Sequence, residues 1–168
     1  MSIISTNIEK LIKEYLLEEG ILKERLNNPN FDFGFIFSFP PGGIRTQNMS
    51  IYKPKDRNSI FITIRYQIAE EKVKILSSLK EDQKLLVLED LRKLFLIKEV
   101  LYAIDIQKMI VEIHEQFYPQ KDGIIPKDVI FKKMLTVFYS YIYSNILIDE
   151  RCKGKDKAMD TSAFSIFS

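Results

Sequence analysis

The chain has 168 residues, 46% of them hydrophobic and 29% charged, with a formal net charge of +2. That balance excludes a disordered chain, and its field is too weak to draw nucleic acid or a membrane by long-range attraction. The length is enough to bury a core without staples, and the single cysteine, Cys152, excludes an internal disulfide.

The first periodic segment places Ile8, Leu11, Ile12, Tyr15 and Leu16 at helical spacing, with Glu9, Lys10, Lys13, Glu14 and Glu18 elsewhere on the wheel. Thr6 or Asn7 can cap its start and Gly20 can end it, which predicts an amphipathic helix near 7–19. Asn27-Asn28-Pro29-Asn30 is a turn cluster. After it, Phe31, Phe33, Phe35, Phe37 and Phe39 fall on every second residue, a strand with one face of phenylalanine. Pro40-Pro41-Gly42-Gly43 ends that strand and opens a connection to about Gln47, an exposed lip that is a candidate contact loop. Met49 and Ile51 against Asn48, Ser50 and Tyr52 give a second strand. Ile60, Ile62, Ile64, Tyr66 and Ile68 give a third, and the three form an antiparallel meander.

The period then turns helical. Glu70 to Leu79 carries Val73, Leu76 and Leu79, and Ser78 with Glu81 resembles a capping box that starts a further helix. Leu85, Leu88, Leu91 and Phe95 line that helix. Residues 97–118 fit a helix moderately. Their β-branched and aromatic content favours a second hairpin, Val100, Tyr102 and Ile104 joined through 105–108 to Met109, Val111, Ile113 and Phe117. Asp122-Gly123 marks a turn, and Pro126 with Asp128 opens a last helix running to about Asp149. Residues 1–150 are expected to form a single α+β domain. Residues 151–168 are expected to be a polar tail closing on the apolar peptide Phe164, Ile166 and Phe167.

The opening residues show no basic segment leading into an apolar run, and no stretch reaches the roughly 20 apolar residues of a membrane helix. The expected location is the cytoplasm. Glu, Lys and Ile enrichment points to a heat-loving host or to an AT-rich genome.

The order helix, three strands, helices, two strands, helix resembles the type III secretion chaperone-like fold. Ile8-Glu9-x-x-Ile12-x-x-Tyr15-Leu16-x-Glu18-Glu19-Gly20, Asn28-Pro29-Asn30-Phe31-Asp32-Phe33 and the strand ending in Pro40-Pro41 resemble an archaeal family of uncharacterised proteins assigned to that fold. The resemblance implies a twisted antiparallel sheet with helices on one face, a homodimer, and association with a protein partner. It implies no catalytic residue and no cofactor.

Chemistry-bearing residues are sparse. His114 shares a strand face with Glu112 and Gln116, a possible acid–base cluster with no nucleophile beside it in the sequence. Cys152 lies among Arg151, Lys153 and Lys155, which would make a thiol reactive, but one His and one Cys match no zinc spacing. Lys53, Lys55, Arg57 and Arg65 form a basic group near the second turn, the basis for an alternative nucleic-acid accessory role. Nearly equal numbers of acids weigh against it. Aromatic and apolar residues around most of the last helix point to an interface, with Phe131, Phe138, Tyr139, Tyr141 and Tyr143 as its candidates. The expectation is a non-catalytic protein–protein interaction module, chaperone-like or adaptor, forming a homodimer.

Overall fold

The computed structural model describes residues 3–120 and 124–153. The expected turn at Asp122-Gly123 and the apolar peptide of Phe164, Ile166 and Phe167 lie outside the described residues. The elements are α1 (Ile3–Glu18), β1 (Leu22–Arg25), β2 (Phe31–Phe39), β3 (Gln47–Pro54), β4 (Ile60–Gln67), α2 (Glu70–Ser78), α3 (Glu81–Ile97), β5 (Leu101–Asp105), β6 (Ile110–Phe117) and α4 (Lys127–Lys153). The strands form one antiparallel sheet in the order β1-β2-β3-β4-β6-β5. The fold is α+β, and the second hairpin expected from 97–118 is present as β5 and β6.

The helices cover one face of the sheet because that face is almost entirely apolar. Phe33, Phe35, Phe37 and Phe39 of β2, Met49 and Ile51 of β3, Ile60, Ile62 and Ile64 of β4, and Val111 and Ile113 of β6 are buried there. The register lines up Phe35, Ile51 and Ile62 across three strands, so alternate side chains reach one side together. Helix α1 contributes Ile8, Ile12 and Leu16 to this layer. It ends where Gly20 adopts φ +65° and the Ile21 amide donates to the Leu16 carbonyl at 3.0 Å.

Several local expectations are corrected. Strand β1 was not foreseen: three of its four residues are charged and exposed, and pairing with Phe35, Ile36 and Phe37 makes it a strand rather than any alternation of its own. Phe31 does not join the phenylalanine row. A register shift between Phe31 and Phe33 turns its ring to the opposite face, where it stacks on Tyr52 at 4.5 Å. Ser78 does not cap α3. Its hydroxyl donates to the Ile75 carbonyl at 2.6 Å inside α2, and the Gln83 side chain accepts from the Lys80 amide at the start of α3. Helix α4 continues past Asp149, so Arg151, Cys152 and Lys153 are helical.

Helix α4 is held at both ends. At its start the Lys127 ammonium lies 2.9 Å from Glu18 and 2.7 Å from Glu19, while Tyr15 donates to the Ile125 carbonyl at 3.2 Å. Hydrogen bonds to Glu19 and Glu18 raise the Lys127 pKa above its ordinary value. Toward its end, Asp149 pairs with Lys72 of α2 and Arg151 pairs with Asp90 of α3. Between these points the helix lies over β4 and β6, and Lys133 reaches Glu115 of β6 at 2.9 Å.

Candidate functional site

Helix α4 has two apolar faces, and burial separates them. Inward, Ile130, Met134, Val137, Phe138 and Ile148 are buried. Ser140 and Ser144 sit among them, each hydroxyl donating back to a helix carbonyl at 2.7 Å. Tyr66 of β4 packs edge-on against Tyr141 and shares a 2.6 Å hydrogen bond with Ser144. Burial pushes the Tyr66 phenol up to about 12. Of the five aromatic residues expected at an interface, Phe138 therefore belongs to the core, its ring 5.6 Å from Phe39. Phe131 and Tyr141 are half-buried against that core. Tyr139 and Tyr143 point outward.

The outward face carries a seam. Lys132, Leu135, Tyr139, Ile142 and Ile146 are all exposed and recur at alternating steps of three and four. That is the spacing of the contact positions in a two-helix coiled coil. Asp128 precedes the seam, and Glu150 and Lys153 follow it, also exposed. Tyr143 flanks it with the Lys98 ammonium 4.5 Å above its ring, which brings the end of α3 alongside with exposed Leu96 and Ile97. Sequence reasoning found the aromatic members and missed Leu135, Ile142 and Ile146. The step pattern, bounded by charges of both signs, was the available signal.

The uncovered face of the sheet is the second feature. Phe31, Tyr52 and Phe61 form a column of stacked rings, with 4.5 and 5.7 Å between successive centroids, and the Arg57 guanidinium lies 6.0 Å from the Phe61 centroid. With Lys55, Asp56 and His114 they line a cleft of about 650 Å³. The rings turn their faces toward one another, so a flat ligand finds their edges rather than a stacking platform. His114 Nδ1 lies 3.4 Å from a Glu112 oxygen, and its register partner is Thr63 of β4. Burial lowers the imidazole's pKa, favouring the neutral ring, and Glu112 opposes the shift.

One member of the basic group is withdrawn from the surface, while Lys55 and Arg57 line the cleft. Lys53 is buried and held by Asp32 at 2.6 Å, Arg57 covers Phe61, and Arg65 is exposed on β4. Cys152 is not an activated thiol: burial pushes its pKa up, and its Sγ lies 3.9 Å from the Lys72 carbonyl. Among the described residues no group of three His, Cys, Asp or Glu side chains could hold a metal ion, and no helix is long and apolar enough to cross a membrane.

Residues 8–148 match the family described as Uncharacterized conserved protein (DUF2299). The chain belongs to this family. Among curated proteins none matches it. Two solved structures share the family member's fold. One is an uncharacterized protein from Methanothermobacter thermautotrophicus, 18% identical, with a TM-score of 0.76 over 86% of this chain and 98% of that one. The other is a chain of the ExsC–ExsE complex, 10% identical, with a TM-score of 0.53 over 88% of this chain and 97% of that one. The fold expected from the sequence resemblance, that of the type III secretion chaperones, is the fold found.

In this member of the family the loop at Pro40, Pro41, Gly42 and Gly43 is a tight turn. Gly42 takes φ +64°, the Gly43 amide donates to the Pro40 carbonyl at 3.3 Å, and Ile44 beyond it is fully exposed. A cleft of about 880 Å³ lies elsewhere, between the start of α2 and the β5–β6 turn, and the Pro40–Gly43 loop borders neither cleft.

Proposed function

We propose that this protein is a non-catalytic protein-binding module, chaperone-like or adaptor in role, that acts in the cytoplasm as a homodimer and engages a further protein partner. The exposed apolar seam of α4 carries this reading. Tyr139 is 52% exposed, Ile142 37% and Ile146 46%, on a helix whose opposite face already fills the core. A single-layer surface helix needs one apolar face, and a second one is accounted for by an occupant.

Two observations support the reading from outside the seam. One structure of this fold comes from a two-protein complex. That is a likeness of fold, and folds host unrelated functions, so it raises the expectation of protein binding without naming a partner. The polar groups with catalytic potential are arranged as a strand face: His114 meets Glu112 on its own strand, and no activated nucleophile stands among the described residues within the cleft.

Light scattering after size exclusion, at two protein concentrations, tests the proposal. The expected result is a dimer mass for the native chain and a monomer mass for Tyr139→Lys combined with Ile142→Lys, both with the circular dichroism of the folded protein. A native monomer that also captures no protein through the seam overturns the reading.

A further inference from the structure

The outward seam of α4 has an order along the helix as well as an apolar character. From its start to its end it reads Asp128, Lys132, Leu135, Tyr139, Ile142, Ile146, Glu150 and Lys153, all exposed. Read backwards, each position meets its chemical complement. Tyr139 falls opposite Ile142, Leu135 opposite Ile146, Asp128 opposite Lys153, and Lys132 opposite Asp149 and within one residue of Glu150. Resting on the reading that this seam is a protein-binding surface, we propose that its occupant is the α4 seam of a second copy, packed antiparallel about a two-fold axis that passes between Tyr139 and Ile142.

Three properties of the seam favour that occupant. A two-fold contact uses one patch twice, so it requires a patch complementary to its own reverse, and this one is. A parallel pairing would set Lys132 against Lys132 and Glu150 against Glu150, which like charges disfavour. At about 1.5 Å per residue, the contact from Asp128 to Lys153 is about 37 Å long, with four apolar layers at its middle and two pairs of charges at each end. Among the described residues Asp128, Lys132, Glu150 and Lys153 form no ion pair within the chain, whereas Asp149 and Arg151, on neighbouring helix positions, are paired with Lys72 and Asp90. The charges aligned with the seam are the ones left for a partner.

Cysteine cross-linking in a Cys152→Ser background separates this geometry from other ways of associating. Leu135 and Ile146 are about 16 Å apart along one helix, too far to join within a chain, and the same offset separates Leu135 of one copy from Leu135 of the other in the antiparallel pair. A chain carrying Leu135→Cys together with Ile146→Cys is expected to give a disulfide-linked dimer on mild oxidation, and neither single variant is. In parallel, Lys132→Glu is expected to weaken the dimer at least tenfold at low salt, and adding Glu150→Lys to the same chain to restore it. A dimer that Tyr139→Lys with Ile142→Lys dissolves, but that shows neither the cross-link nor the rescue, overturns the antiparallel register and leaves the binding reading standing. Cross-linking by a single variant points to a parallel contact and overturns it too. A monomer at every concentration tested overturns the two-fold pairing, whether or not another protein occupies the seam.

Discussion

Phe138 and Tyr139 are neighbours in sequence and similar in size, and about a quarter-turn of α4 separates the buried ring from the exposed one, so truncating each in turn separates folding from association. The Phe138 ring is 9% exposed and lies 5.6 Å from the Phe39 ring and 6.3 Å from Tyr141. Replacing a buried phenylalanine by alanine costs about 3–5 kcal/mol, a large part of the roughly 5–15 kcal/mol that holds a domain together. At about 2–4 °C per kcal/mol for a chain of this size, Phe138→Ala is expected to lower the melting temperature by roughly 6–20 °C. Tyr139 is 52% exposed, so about half of the roughly 2 kcal/mol for burying such a side chain is at stake, and Tyr139→Ala is expected to cost about 1 kcal/mol. Urea unfolding at low protein concentration reads these values with the dimer absent. Repeated at high concentration, the native chain and Phe138→Ala are expected to gain stability by mass action and Tyr139→Ala to gain much less. Equal costs for the two variants at low concentration would refute the assignment of faces.

Other consequences follow from single contacts. Asp32→Ala leaves the buried Lys53 ammonium without its 2.6 Å partner and is expected to cost about 3–5 kcal/mol by urea titration, and replacing both residues with apolar ones should recover part of that. Gly34 has Leu26 Cβ 3.0 Å and Tyr52 Cβ 3.3 Å from where a Cβ would stand, so Gly34→Ala is expected to cost about 1–3 kcal/mol, read as a drop in melting temperature. His114 is held below its ordinary 6.5 by burial, so the unfolded chain binds a proton that the folded chain refuses. Stability is therefore expected to fall as pH drops below about 6.5, until the folded imidazole also titrates, and His114→Gln should flatten that slope in pH-dependent urea midpoints.

Much of the sheet was legible because its pattern is local. Phe33 to Phe39, Met49 with Ile51, and Ile60 to Ile64 alternate by two, and nothing but a one-sided strand satisfies that. Hairpin 101–117 was legible for the same reason once β-branched content outweighed the helical alternative. What was not legible depends on partners distant in sequence. Strand β1 is defined by β2 rather than by its own residues, and Phe31 keeps the alternation of its neighbours until a register shift with Pro54 and Lys53 turns it over. Lys53 read as part of a basic turn because its partner, Asp32, lies 21 positions earlier on another strand.

The last helix shows the limit most clearly. Its apolar residues surround the axis, so their pattern alone said that more than one surface contacts them and could not divide the set. The sheet divides it. Positions Ile130, Met134, Val137, Phe138, Ser140, Tyr141, Ser144 and Ile148 face the core, and two of them are serine, whose hydroxyls bond to the helix's own carbonyls at closely packed positions. Hydrophobic residues are therefore not confined to the side that buries them. Leu135, Ile142 and Ile146 stay outside, where a polar residue would do no harm to the fold. Their spacing follows the 3.5-residue repeat of a seam that meets another helix, with acid and base at its ends in an order that complements its own reverse. A core requirement explains none of those three features, and an occupant on the outer face of α4 explains all of them.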